Sequence, residues 1–141
     1  MTPAKRSSTT RRLRIKRVYE PAAADDGLRV LVDRLWPRGI SKDKARVDLW
    51  LRDVAPSDAL RRRFHDDAHW RAFVAAYARE LTEEPAKSAI ATLRERLRGG
   101  PVTLLYAARN EHHNNAVALR DWLERNNQTQ AGVAVIESEK N

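Results

Sequence analysis

Two apolar stretches constrain this chain most. Val30-Leu31-Val32 and Val102-Thr103-Leu104-Leu105-Tyr106 are rich in β-branched and large apolar residues and show no polar alternation. Strands of that kind are buried on both faces, as in a parallel sheet covered by helices. The first run is stopped by Trp36-Pro37-Arg38-Gly39, because Pro lacks an amide donor and Gly permits turn geometry. A further strand is expected over Leu13–Tyr19, and the alternation of Val47, Leu49 and Leu51 favours one within Ser41–Val54, with room for a short helix before it.

Between these runs the spacing changes to that of helices. Ser57 is a good N-cap for a helix over Asp58–Phe64. Trp70, Phe73, Val74, Tyr77 and Leu81 form one stripe of a helix over Ala68–Leu81. A third helix is expected to begin near Thr82, with Glu83 and Glu84 at its positive end and Pro85 in its first turn, and to stop at Gly99–Gly100. Asn110 is expected to cap a last helix ending near Arg125, which buries Val117, Leu119, Trp122 and Leu123. Strands alternating with helices read as an α/β fold: a small, mainly parallel sheet flanked by helices in a single layered domain. A length of 141 residues fits one such domain.

Charge divides the chain. Residues 1–17 hold seven cations, Lys5, Arg6, Arg11, Arg12, Arg14, Lys16 and Arg17, and no acid; the rest holds 20 basic against 19 acidic residues. The organisation expected is a basic arm over 1–12, an α/β domain over 13–126 and a polar tail over 127–141, where Gly132–Ile136 offers an edge strand. The arm reads first as a solvated leader. Phosphate contacts to nucleic acid through residues 5–17 are the sharper reading, and an organelle-targeting peptide has a similar make-up. There is no cysteine, which excludes disulfides, iron–sulfur clusters, thiolate zinc sites and a thiol nucleophile. The longest apolar stretch, Val102–Ala108, is far short of the ~18 residues of a membrane span. No apolar signal core follows the start, so the expected location is cytoplasmic, with no membrane partner.

The five glycines form neither a dinucleotide fingerprint nor a phosphate loop, so no cofactor is expected. Ser41-Lys42-Asp43-Lys44 matches S-x-x-K without its companion motifs and is expected to be a helix cap. His65 and His69 stand at the spacing of a helical metal pair, but the acids between them read as a helix cap, so no metal site is expected.

Chemistry gathers after the two best strands. Arg109-Asn110-Glu111-His112-His113-Asn114-Asn115 is a polar run that follows an apolar strand and opens a helix. Ligands of open α/β sheets bind beyond the carboxyl ends of the strands, where helix N-termini attract anions. Asp33-Arg34-Leu35-Trp36-Pro37-Arg38 lies at the other strand end and offers a carboxylate, two guanidiniums and an indole. The site expected is therefore His113 as general acid/base, Asp33 as its orienter or a second base, and Arg34, Trp36, Arg38, Arg109, Asn114 and Asn115 as ligand-binding residues. Its ligand would be an anionic small molecule, a nucleotide or a phosphorylated metabolite. A hydrolase or transferase is one form of this reading; a nucleic-acid-associated module and a non-catalytic interaction domain are its rivals. Asp33 is expected to pair with Arg34, Arg38 or Arg109, since an ionised carboxylate near a core needs a partner. Trp50, Trp70 and Trp122 fall on apolar stripes and are expected in the core.

These segments carry a resemblance. Arg29-Val30-Leu31-Val32-Asp33-Arg34-Leu35-Trp36-Pro37-Arg38-Gly39 resembles the signature of the YeaO-like bacterial proteins, within domain of unknown function family 488. So do Leu104-Leu105-Tyr106-Ala107-Ala108-Arg109 with His113-Asn114-Asn115-Ala116, Asp48-Leu49-Trp50-Leu51 with Ala55-Pro56-Ser57, and Arg17-Val18-Tyr19. The resemblance runs from about Leu13 to Arg125 and implies an α/β fold and a bacterial cytoplasmic protein, with no established activity. The chain departs from the family pattern at Asn110, where an acid is usual, at His112, where an acid is frequent, and in Phe64–Trp70, about one residue short. An asparagine cannot accept a proton, which puts a catalytic role at position 110 in doubt.

Overall fold

The computed structural model describes residues 13–64 and 67–126. The arm, the tail with its expected edge strand, and residues 65 and 66, which include the first of the two histidines at metal-pair spacing, lie outside the described residues. Four strands, β1 (Leu13–Arg17), β2 (Leu28–Leu31), β3 (Leu49–Trp50) and β4 (Val102–Tyr106), form one sheet in the order β1-β4-β2-β3. Every neighbouring pair is parallel, with Leu13 and Leu28 both facing Val102 and Val30 facing Leu104 and Leu49. The helices are α1 (Lys42–Ala45), α2 (Asp58–Arg63), α3 (Trp70–Leu81), α4 (Ala86–Gly99) and α5 over 115–126. This is an α/β domain built on a small parallel sheet.

β4 lies between β1 and β2, and all five of its residues are buried. Its alternation divides the core by face. Val102, Leu104 and Tyr106 join Val30, Val32, Leu60, Phe73, Tyr77 and Leu93 in the larger cluster. Leu105 joins Leu31, Val18 and Ala45 in the smaller one, where Trp36, Ile40 and Trp50 pack. α2 to α5 thus cover one face, while α1 and the segment after β2 cover the other.

The strand expected in Ser41–Val54 shrinks to the two residues of β3, between a short helix and a 3-10 turn at Arg52–Val54. Ser41 caps α1 by accepting from the Lys44 amide (3.2 Å), and Ser57 caps α2 by accepting from the Leu60 amide (3.1 Å). α4 begins at Ala86, later than expected, and the Glu84 carboxylate accepts from the amide (3.1 Å) and hydroxyl (2.9 Å) of Ser88.

The amino end of β2 is fixed by a buried carboxylate. Asp26 accepts from Arg29 (2.5 Å), Lys16 (3.1 Å) and the Ala23 amide (2.9 Å). The Arg29 guanidinium also donates to the carbonyls of Arg46 (2.9 Å) and Ala45 (2.8 Å). Burial pushes the Asp26 carboxyl up, but the Ala23 amide, Lys16 and Arg29 outweigh it and hold it below the usual range. Beside it Gly27 adopts φ 67°, and a Cβ there would collide with the Pro101 carbonyl, so only glycine fits.

Candidate functional site

Beyond the carboxyl ends of β2 and β4 the chain builds a polar floor. The Asp33 carboxylate accepts from the Ala107 amide through Oδ2 (3.0 Å) and from Asn115 Nδ2 through Oδ1 (3.0 Å). The same Asn115 amide donates to the Val32 carbonyl (3.0 Å), and the Trp50 indole donates to the Asp33 carbonyl (2.7 Å). One acid therefore ties β2, β4 and α5 together. Burial raises the Asp33 carboxyl, against the opposing pull of Asn115, the Ala107 amide and the charge of Arg61.

The partners expected for Asp33 do not hold it. The ion pairs among the described residues do not include it, and its hydrogen bonds come from neutral donors. Arg34 instead donates to the carbonyls of Ala55 (3.1 Å) and Pro56 (3.3 Å), which anchors the entry to α2. Arg38 and Arg109 are exposed.

All eight expected residues border one cavity of about 920 Å³. The structure adds Arg61, Arg62, Phe64, Trp70 and Tyr19 to its lining. Trp36 borders it too, but its indole N–H donates to the Ile40 carbonyl (2.8 Å), and its ring packs edge-on to Trp50 at 5.6 Å. Trp50, Trp70 and Trp122 are half-buried against the core rather than sealed in it, and Trp70 stacks on the His113 ring at 4.4 Å and 9°. The stack continues inward through Phe73 at 5.5 Å to Tyr77 at a further 5.6 Å.

The cap of the last helix also differs from expectation. Asn114 Oδ1 accepts from the Val117 amide (2.9 Å), so Asn114 is the cap and α5 starts at Asn115. Asn110 closes the preceding turn by accepting from the amides of His112 and His113 (2.9 Å each). His113 thus sits before the helix rather than in its first turn. Asn114 is buried, and its amide donates to the Asn110 carbonyl (2.8 Å). His113 and Asp33 border the same space, yet both carboxylate oxygens of Asp33 are engaged by Ala107 and Asn115.

The missed residues left one signal: Arg61-Arg62-Arg63 is a run of three cations on a short capped helix. The position of α2 beside the strand ends is tertiary and has no local trace. Arg14, Lys16 and Arg17, counted with the basic arm, are used by the fold: Arg14 meets Asp25 and Lys16 meets Asp26, while Arg17 donates to the carbonyls of Ala108 (2.8 Å) and Ala107 (2.9 Å). Among the described residues no group of three or more His, Asp or Glu could hold a metal, and no helix is long and apolar enough to cross a membrane.

Comparison with known proteins places the chain among relatives. The family described as the inactive DUF488-N3 subclade matches residues 12–139. The uncharacterized protein YeaO of Escherichia coli K12 is 41% identical over 112 residues, covering 79% of this chain and 96% of the relative. The uncharacterized protein Mb3100c of Mycobacterium bovis is 42% identical over 113 residues, covering 79% of this chain and 93% of the relative. No solved structure gives a significant match.

Proposed function

Since the chain belongs to the inactive DUF488-N3 subclade, among the YeaO-like proteins of family 488, we propose that it binds an anionic small molecule, a nucleotide or a phosphorylated metabolite, without turning it over. One observation carries this reading. Arg38, Arg61, Arg62 and Arg109 come from three separate segments, are exposed, and border one cavity at the carboxyl ends of β2 and β4. Among the described residues only Arg61 of the four meets a carboxylate, Asp58 at 3.8 Å. Guanidiniums present a planar fork that suits phosphate oxygens.

A hydrolase or transferase working through His113 and Asp33 is less well supported. Both Asp33 oxygens accept from groups that hold the fold, and Asn110 has no proton-accepting carboxylate. The word "inactive" in the description of the family agrees with a binding role. A nucleic-acid role through residues 5–17 loses three of its seven cations to internal contacts. Titration calorimetry with inorganic phosphate and adenosine monophosphate tests the proposal. Binding should weaken about tenfold in Arg109→Ala, as expected for a lost charge-assisted contact. Absence of binding by either probe, or binding indifferent to Arg109→Ala and Arg38→Ala, overturns it.

A further inference from the structure

Resting on that anion-binding reading, we infer that the cavity takes a ligand with two or more linked phosphoryl groups, a di- or triphosphate, gripped at one end by Arg38 and at the other by Arg61 and Arg62. The two arginine sets belong to opposite faces of the sheet. Arg38 lies between Trp36 and Ile40, which pack in the smaller cluster, and its carbonyl accepts from the Tyr19 hydroxyl (2.7 Å). Arg61 and Arg62 lie between Leu60 and Phe64, which pack in the larger cluster. The cavity that both sets border spans the end of the sheet.

Size points the same way. About 920 Å³ is near the upper end of the ~300–1,000 Å³ typical of small-molecule pockets. Two anionic groups on one ligand bind far more tightly than either alone, because the second contact is intramolecular.

The test compares inorganic phosphate, pyrophosphate and tripolyphosphate on the full chain at one fixed ionic strength, in wild type, Arg38→Ala and Arg62→Ala. Both arginines are exposed, and unchanged melting temperatures confirm that the variants fold. Tripolyphosphate should bind roughly a hundredfold more tightly than phosphate in wild type. Each variant should remove most of that advantage by weakening tripolyphosphate more than phosphate, since the longer ligand uses both ends and a single phosphate only one. Phosphate binding with no tripolyphosphate advantage, or an advantage that survives in both variants, overturns the inference and leaves the anion-binding proposal standing. No binding of any anion overturns the proposal itself. A short oligothymidylate of matched charge that binds more tightly than tripolyphosphate overturns the assignment to a free polyphosphate.

Discussion

Asp26 and Asp33 stand at the two ends of the β2 segment and meet opposite surroundings. At the amino end Asp26 is ringed by Lys16, Arg29 and the Ala23 amide, so its charge is matched inside the fold. At the carboxyl end Asp33 accepts from the Ala107 amide and the Asn115 side chain, while Arg38, Arg61, Arg62 and Arg109 face solvent. Cations at the first end are structural. Cations at the second make no comparable internal contact, and an external anion would complete them. The difference separates charge that folds the chain from charge that is available to a ligand.

Arg29→Ala should give the largest effect and would break the comparison if it did not. Arg29 and Asp26 are both buried, and removing Arg29 leaves Asp26 with hydrogen bonds from Lys16 and the Ala23 amide alone and strips the Ala45 and Arg46 carbonyls of their donor, at a cost of about 3–5 kcal/mol. Denaturant unfolding of the variant checks this. A loss no greater than that of an exposed arginine would mean that the amino-end pair carries no structural weight.

Next in size is Asp33→Asn. The amide nitrogen of an asparagine would confront either the Ala107 N–H or the Asn115 Nδ2 donor, leaving one buried donor without an acceptor. That costs about 1–3 kcal/mol. The expected outcome is a lower melting temperature with the sheet intact. A neutral result would show that the floor of the cavity tolerates rearrangement.

How much of this was legible in the sequence depends on range. Val30–Val32 and Val102–Tyr106 announced central parallel strands because burial on both faces leaves no room for polar alternation. Ser57 announced α2 through its own side chain. Asn110 misled because two asparagines compete for the role of cap, and the choice of Asn114 depends on where the turn after β4 closes. Trp70 misled because its stripe is helical and amphipathic either way; only the packing of α3 beside His113 turns one of its faces toward the cavity. The gathering of Asp33, Arg38, Arg109 and Asn115 was legible, since all follow strand ends. Arg61 and Arg62 were not, because the placement of α2 is a tertiary fact.

Acid titration sharpens the contrast by sign. Asp26 is held below its ordinary value, so its contribution is present above the unfolded carboxylate value and is lost as pH falls through the folded one. Asp33 is held above, so its contribution is present below the unfolded value and is lost as pH rises through the folded one. On acidification from neutrality, Asp33 should therefore take its proton first and add stability, and Asp26 should take its proton later and remove it. Urea midpoints against pH should show the advantage of wild type over Asp26→Asn shrinking at low pH, and its advantage over Asp33→Asn growing as the raised Asp33 group protonates. Parallel changes in the two variants would refute the distinction.

The smallest expected effect on stability belongs to Arg62→Ala, and its smallness is informative. Arg62 is exposed and borders the cavity, with no ion-pair partner among the described residues. Such surface substitutions shift stability by no more than about 0.5 kcal/mol. Binding of tripolyphosphate should nonetheless weaken, and its affinity should fall less steeply with added salt, since one fewer cation meets the ligand. A residue that matters for an anion and not for the fold is the signature expected of the carboxyl end alone. The same pair of measurements on Arg29→Ala should give the reverse, a large loss of stability with unchanged affinity in the fraction that folds. If Arg62→Ala instead destabilises the chain while leaving anion affinity and its salt dependence untouched, the exposed arginines belong to the fold after all, and the contrast between the two ends of the sheet does not hold.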